Sequence, residues 1–134
     1  MKKCLSFLAV LAMVVVMALQ VSALTENQTI SLPANQVWVT AGSESRSGNL
    51  STVSARCHSV YPESGVDLYG IIKCQVTNSS GTAITDMVSL NESASDYTSI
   101  SIKEGFLAAS PVSFQFRGNT NAAASAVVSY RGSY

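Results

Sequence analysis

The chain alternates apolar and polar residues with a period of two, and this pattern limits its fold more than any other feature. From Ser51 to Tyr61, residues Val53, Ala55, Cys57 and Tyr61 point one way, and Thr52, Ser54, Arg56 and His58 point the other. Pro62-Glu63-Ser64-Gly65 reads as a turn. From Val66 to Thr77 the alternation resumes, with Val66, Leu68, Ile72, Cys74 and Val76 on one face. Asp67, Tyr69, Lys73, Gln75 and Thr77 share the other face with Ile71. Strands send successive side chains to opposite faces, whereas helices repeat a face about every 3.6 residues. Only the strand period recurs here.

The same reading extends to both ends. Thr29 to Leu32 and Gln36 to Thr40 are short strands around Pro33-Ala34-Asn35, and Gly42 to Gly48 is a polar loop. Asn78-Ser79-Ser80-Gly81 is the best hairpin turn in the chain. Thr82 to Leu90 returns from it with Ile84 and Val88 inward, and Asp86 interrupts that face, as suits an edge. Asn91 to Asp96 is a polar connection, and Tyr97 to Lys103 is a strand with Ile100 and Ile102 inward. Glu104 to Pro111 is a loop that tucks Phe106 and Leu107 over one end of the core. Val112 to Arg117 alternates strictly with Phe114 and Phe116 inward, and Ala124 to Arg131 closes the domain. Seven to eight half-apolar strands predict an all-β fold, a small antiparallel β-sandwich, with a small β-barrel as the alternative.

The N-terminus imposes a different constraint. Lys2 and Lys3 precede an apolar run from Leu5 to Leu19, followed by Gln20-Val21-Ser22-Ala23. This is the layout of a signal peptide with a bacterial style of n-region, cleaved after Ala23. The run is shorter than the ~20 residues of a membrane-spanning helix. The expected secreted domain is a single unit of 111 residues, Leu24 to Tyr134. It carries six basic against eight acidic residues, a balance of −2. With no basic cluster, nucleic acid and anionic membrane surfaces are poor partners.

Cys4 leaves with the leader, so Cys57 and Cys74 remain. In an exported protein an even pair predicts a disulfide. The loop of 17 residues makes it worth ~3 kcal/mol in the chain-entropy model. A tight hairpin at Pro62 to Gly65 sets Cys57 opposite Gly70, four residues from Cys74. That is ~13 Å of strand, beyond the ~7 Å Cα limit of a bridge. A disulfide therefore requires either a longer loop from Tyr61 to Gly70, or two sheets with the bridge crossing the core.

Signals of chemistry are sparse. His58 is the only histidine, it lies on a polar strand face, and no Gly-x-Ser-x-Gly elbow accompanies it. The loop carboxylate pairs Glu63 with Asp67 and Glu92 with Asp96 are the only candidates for acid–base hydrolysis. Asp86, Glu92 and Asp96 lack the spacing of a calcium loop, and no phosphate-cradling glycine loop exists, so neither metal nor cofactor is expected. Asn-x-Ser/Thr sequons at Asn27, Asn49, Asn78 and Asn91 are expected to stay bare in a bacterial export route.

Aromatic residues beside polar ones are the better lead. Trp38, Tyr61 and Tyr69, with Ile71, have the composition of a sugar platform or a protein contact patch. The expected function is a secreted, non-enzymatic module that binds a protein or carbohydrate at the cell exterior. The alternatives are a toxin, a bacteriocin-like effector or a protease inhibitor, and then a hydrolase using loop carboxylates.

Overall fold

A computed structural model describes residues 24–46, 50–61, 70–92 and 94–132. The expected leader at 1–23, the expected turn at 62–65 and the expected start of the next strand at 66–69, with Glu63, Asp67 and Tyr69, lie outside the described residues. Eight strands form two antiparallel four-stranded sheets. They are β1 (Leu24–Leu32), β2 (Val39–Glu44), β3 (Thr52–Tyr61), β4 (Ile71–Thr77), β5 (Val88–Asn91), β6 (Thr98–Ser101), β7 (Val112–Gly118) and β8 (Ala124–Arg131). Sheet A has the order β1-β8-β3-β6 and sheet B the order β2-β7-β4-β5. Neither sheet closes on itself, so the fold is the expected sandwich and not a barrel.

The inner faces follow the alternation. Val53, Ala55 and Cys57 on β3 face Ile72, Cys74 and Val76 on β4 across the core, with Phe114 and Phe116 from β7. Tyr130 of β8 joins the layers: its ring stacks on Phe114 at 4.6 Å between centroids and lies 6.0 Å from Phe116. Its hydroxyl donates to Gln28 Oε1 at 2.6 Å, and Gln28 Nε2 donates to the Ala41 carbonyl at 2.9 Å. Gly42 makes room for that hydroxyl, since a Cβ there would stand 2.4 Å from it. Both 3-10 turns, Ala34–Gln36 and Glu104–Phe106, are single turns in connections. The second brings Phe106 and Leu107 against the core, as expected.

The hairpin turn forms at the expected place. Asn78 Oδ1 accepts from the Ser80 and Thr82 amides at 3.1 and 2.9 Å, and Gly81 adopts φ +83°. This is the left-handed conformation that glycine takes at little cost. Thr82 to Leu90 is not one strand, however. It pairs at Ala83, breaks away, bridges from Thr85 to Ile102 beside sheet A, and rejoins β4 only as β5. β5 is an edge, as Asp86 suggested, and Asp86 pairs with Lys103 at 3.6 Å.

Three other expectations are corrected. Gly42 to Glu44 belongs to β2 and pairs with β7, because Val112 to Phe114 supplies an edge for its backbone. Tyr61 does not share the inner face with Cys57. A β-bulge between Cys57 and Ser59 inserts one extra residue against β8 and reverses the parity, so Val60 turns inward and Tyr61 is 70% exposed. The disulfide is also absent: Cys57 and Cys74 are free thiols. They lie in facing sheets, a separation of about 10 Å between layers. Each thiol turns to a carbonyl of its own strand, Cys57 to Ser59 at 3.6 Å and Cys74 to Gln75 at 3.9 Å.

Candidate binding face

The outer face of sheet B collects polar side chains into rows that run across the strands. Because Phe114 and Phe116 point inward, Gln115 and Arg117 must point outward. Register sets Arg117 opposite Lys73 and Lys73 opposite Ser89. Trp38, just before β2, lies over Arg117, with the guanidinium carbon 5.0 Å from its ring centroid. Trp38, Arg117, Lys73 and Ser89 thus form one row, in which Lys73 Nζ donates to Ser89 Oγ at 2.6 Å. The next row is Thr40, Gln115 and Gln75. Gln75 Nε2 donates to Gln115 Oε1 at 2.8 Å, and Gln115 Nε2 donates to Thr40 Oγ1 at 3.3 Å. A third row holds Ser43 and Ser113, with hydroxyls 2.7 Å apart.

These bonds fix planar amides and hydroxyls on a sheet. With strands ~4.8 Å apart, a row across four strands spans about 14 Å. Arg117 reaches beyond its own neighbours, and its Nη2 donates to Met87 Sδ at 3.2 Å.

Of the residues singled out from sequence, the structure brings Trp38 and Ile71 to this one face, both half-buried. Tyr61 stands at the end of β3 in the other sheet, and Tyr69 lies outside the described residues. Lys73, Gln75, Gln115 and Arg117 are the additions. Their alternation in sequence gave the outward direction, but nothing in it set β7 between β2 and β4.

The outer face of sheet A carries a second polar cluster. β1 and β3 flank β8, and each bulges beside Ser129, β1 between Thr25 and Gln28, β3 between Cys57 and Ser59. Ser129 Oγ accepts the Asn27 amide at 2.9 Å and lies 2.7 Å from His58 Nε2. His58 lies half-buried on the outer face of its strand, beside Ser129. Burial lowers its pKa, Arg56 lowers it further, and Glu26 partly opposes both. The direction of the His58–Ser129 hydrogen bond follows the imidazole tautomer, since the hydroxyl can give its proton or accept a second one. The atoms match a base–nucleophile pair. Ser129 is only 1% exposed, however, so the pair ties two bulges together and presents no nucleophile to a substrate.

Of the loop carboxylates, only Glu92 is shown engaged among the described residues. Glu92 Oε2 accepts the Val60 amide at 2.9 Å, and Asp96 is exposed. Among the described residues no group of three His, Cys, Asp or Glu side chains is placed to hold a metal ion. Nor is any described helix long and apolar enough to cross a membrane. No family model matches the chain, and no curated protein or solved structure matches it either.

Proposed function

We propose that this chain is an exported, non-catalytic module that binds an extracellular glycan through the outer face of sheet B. The observation that carries the reading is the row of Trp38, Arg117, Lys73 and Ser89 beside the amide ladder of Thr40, Gln115 and Gln75. A sugar ring offers an apolar C–H face and a rim of hydroxyls. An aromatic ring meets the first, and fixed amides and hydroxyls meet the second. Side chains already held by hydrogen bonds lose little entropy on binding. The export part of the reading rests on Lys2, Lys3, the apolar run and Val21-Ser22-Ala23.

The test is affinity electrophoresis of the protein through gels that contain neutral or acidic polysaccharides. Retardation by at least one polymer is expected. Trp38→Ala should weaken it about tenfold or more, as a buried aromatic anchor does. Tyr61→Ala, on the other sheet, should leave it unchanged. Retardation that Trp38→Ala does not alter removes this face from the reading.

A further inference from the structure

The same face has a charge pattern that narrows the ligand, on the assumption that the glycan reading above is right. Arg117 and Lys73 are directly opposite neighbours on adjacent strands. Like charges in that position destabilise a sheet. Neither forms a salt bridge with a carboxylate among the described residues, where Lys103 pairs with Asp86. The rows described on this face contain no acidic side chain. A domain with an expected balance of −2 thus puts two cations side by side, neither in a salt bridge with a carboxylate among the described residues.

Arg117 is also held in a pose that leaves its bonding capacity unspent. Its guanidinium carbon lies over the Trp38 ring, 5.0 Å from the centroid, a cation–π contact that favours this placement. Its Nη2 donates to the thioether of Met87, a weak acceptor, and its buried Nε has no hydrogen-bond partner among the described residues. Met87 is 48% exposed and sits in the break before β5, so its side chain can yield. A carboxylate that replaces the sulfur gains a charge-assisted bond, and the planar fork suits it better than a point charge does.

We propose that the ligand is a polysaccharide of uronic acids, whose carboxylates are bound by Arg117 and Lys73 while a sugar ring packs on Trp38. The test uses the protein with polygalacturonate and with the same polymer methyl-esterified, which keeps the sugar chain and removes the charge. Alginate and hyaluronate extend the acidic panel, and dextran sulfate controls for charge density alone. We expect binding to polygalacturonate or another uronate polymer that weakens at least tenfold on esterification or on Arg117→Gln. Arg117→Lys should also lose most of the affinity, because it keeps the charge but not the fork. Lys73→Gln should weaken binding severalfold, and Lys103→Gln, an equal change in net charge at a residue outside the rows of this face, should not weaken it. Circular dichroism and melting of each variant separate lost binding from lost folding.

Equal binding of the esterified polymer, still sensitive to Trp38→Ala, overturns the carboxylate inference and leaves the glycan reading standing. Dextran sulfate bound as tightly as the uronates, or Lys103→Gln as damaging as Lys73→Gln, overturns it too, in favour of unspecific charge. Binding of no polymer in either form overturns both readings.

Discussion

Arg46 offers the sharpest test of how this sandwich is closed at one end. It follows β2 and is 8% exposed. Its Nε donates to the Gly132 carbonyl at 3.2 Å. Its Nη1 donates to Leu107 and Ala109 at 2.9 and 3.2 Å, and its Nη2 donates to Leu50. One guanidinium thus gathers the end of β8, the loop after the second 3-10 turn and the entry to β3. Burial lowers the Arg46 pKa, so the charge is held at a cost that the four carbonyls offset.

Arg46→Met keeps most of the volume and removes every donor. A buried acceptor left without a partner costs about 1–3 kcal/mol. Leu50 is 38% exposed, so its carbonyl has ready access to water. Counting about two carbonyls as truly orphaned, and crediting the relief of guanidinium desolvation, the expected loss is about 3–4 kcal/mol. For a domain of this size that lowers Tm by about 13–17 °C. With a urea m-value of ~2 kcal/mol/M, the midpoint falls by about 1.5–2 M. Urea unfolding followed by circular dichroism reads both m and midpoint. A midpoint within about 0.5 M of the parent, at unchanged m, would refute the claim that this carbonyl cage stabilises the fold.

Four further outcomes follow from the same structure. Gly42→Ala drives a Cβ to 2.4 Å from the Tyr130 hydroxyl and should cost about 1–3 kcal/mol in urea unfolding. Tyr130→Phe removes that hydroxyl, so a double-mutant cycle should show favourable coupling of about 1 kcal/mol or more. Burial pushes the Cys57 thiol up to about 12 and raises Cys74 as well, so neither should react with Ellman's reagent at pH 8 in the folded protein, and both should react in guanidinium without reductant. Because the His58 pKa is lowered in the folded state, the unfolded chain binds its proton first. Stability should decline as pH falls below about 6.5, and His58→Gln should flatten that slope in unfolding midpoints measured from pH 7 to 5. Mass spectrometry of protein recovered from culture medium should find a chain that starts at Leu24, and a retained Met1 to Ala23 counts against export by cleavage.

The class of fold and most of the inner face were legible in the order of residues alone. Period-two alternation is a local property, because each residue's direction follows from the pleat. It placed Val53, Ala55 and Cys57 inward, set Phe114 and Phe116 against Gln115 and Arg117, and marked Asn78 to Gly81 as a turn. It failed where one residue changed the count. The bulge beside His58 reversed the parity of β3, which moved Tyr61 to solvent. Such a bulge is fixed by pairing with β8, about seventy positions away, and leaves no trace in the alternation itself.

Tertiary structure alone decided which strands became neighbours. Cys57 and Cys74 are 17 residues apart, yet β3 and β4 went to different sheets, and each thiol bonds within its own strand. Likewise Trp38, Arg117, Lys73 and Ser89 come from four strand regions and share a face only because β7 inserts between β2 and β4. Side-chain direction is set within a few residues of backbone, whereas register across a sheet depends on hydrogen bonds between distant segments. The core was therefore legible residue by residue, and the candidate binding face was not.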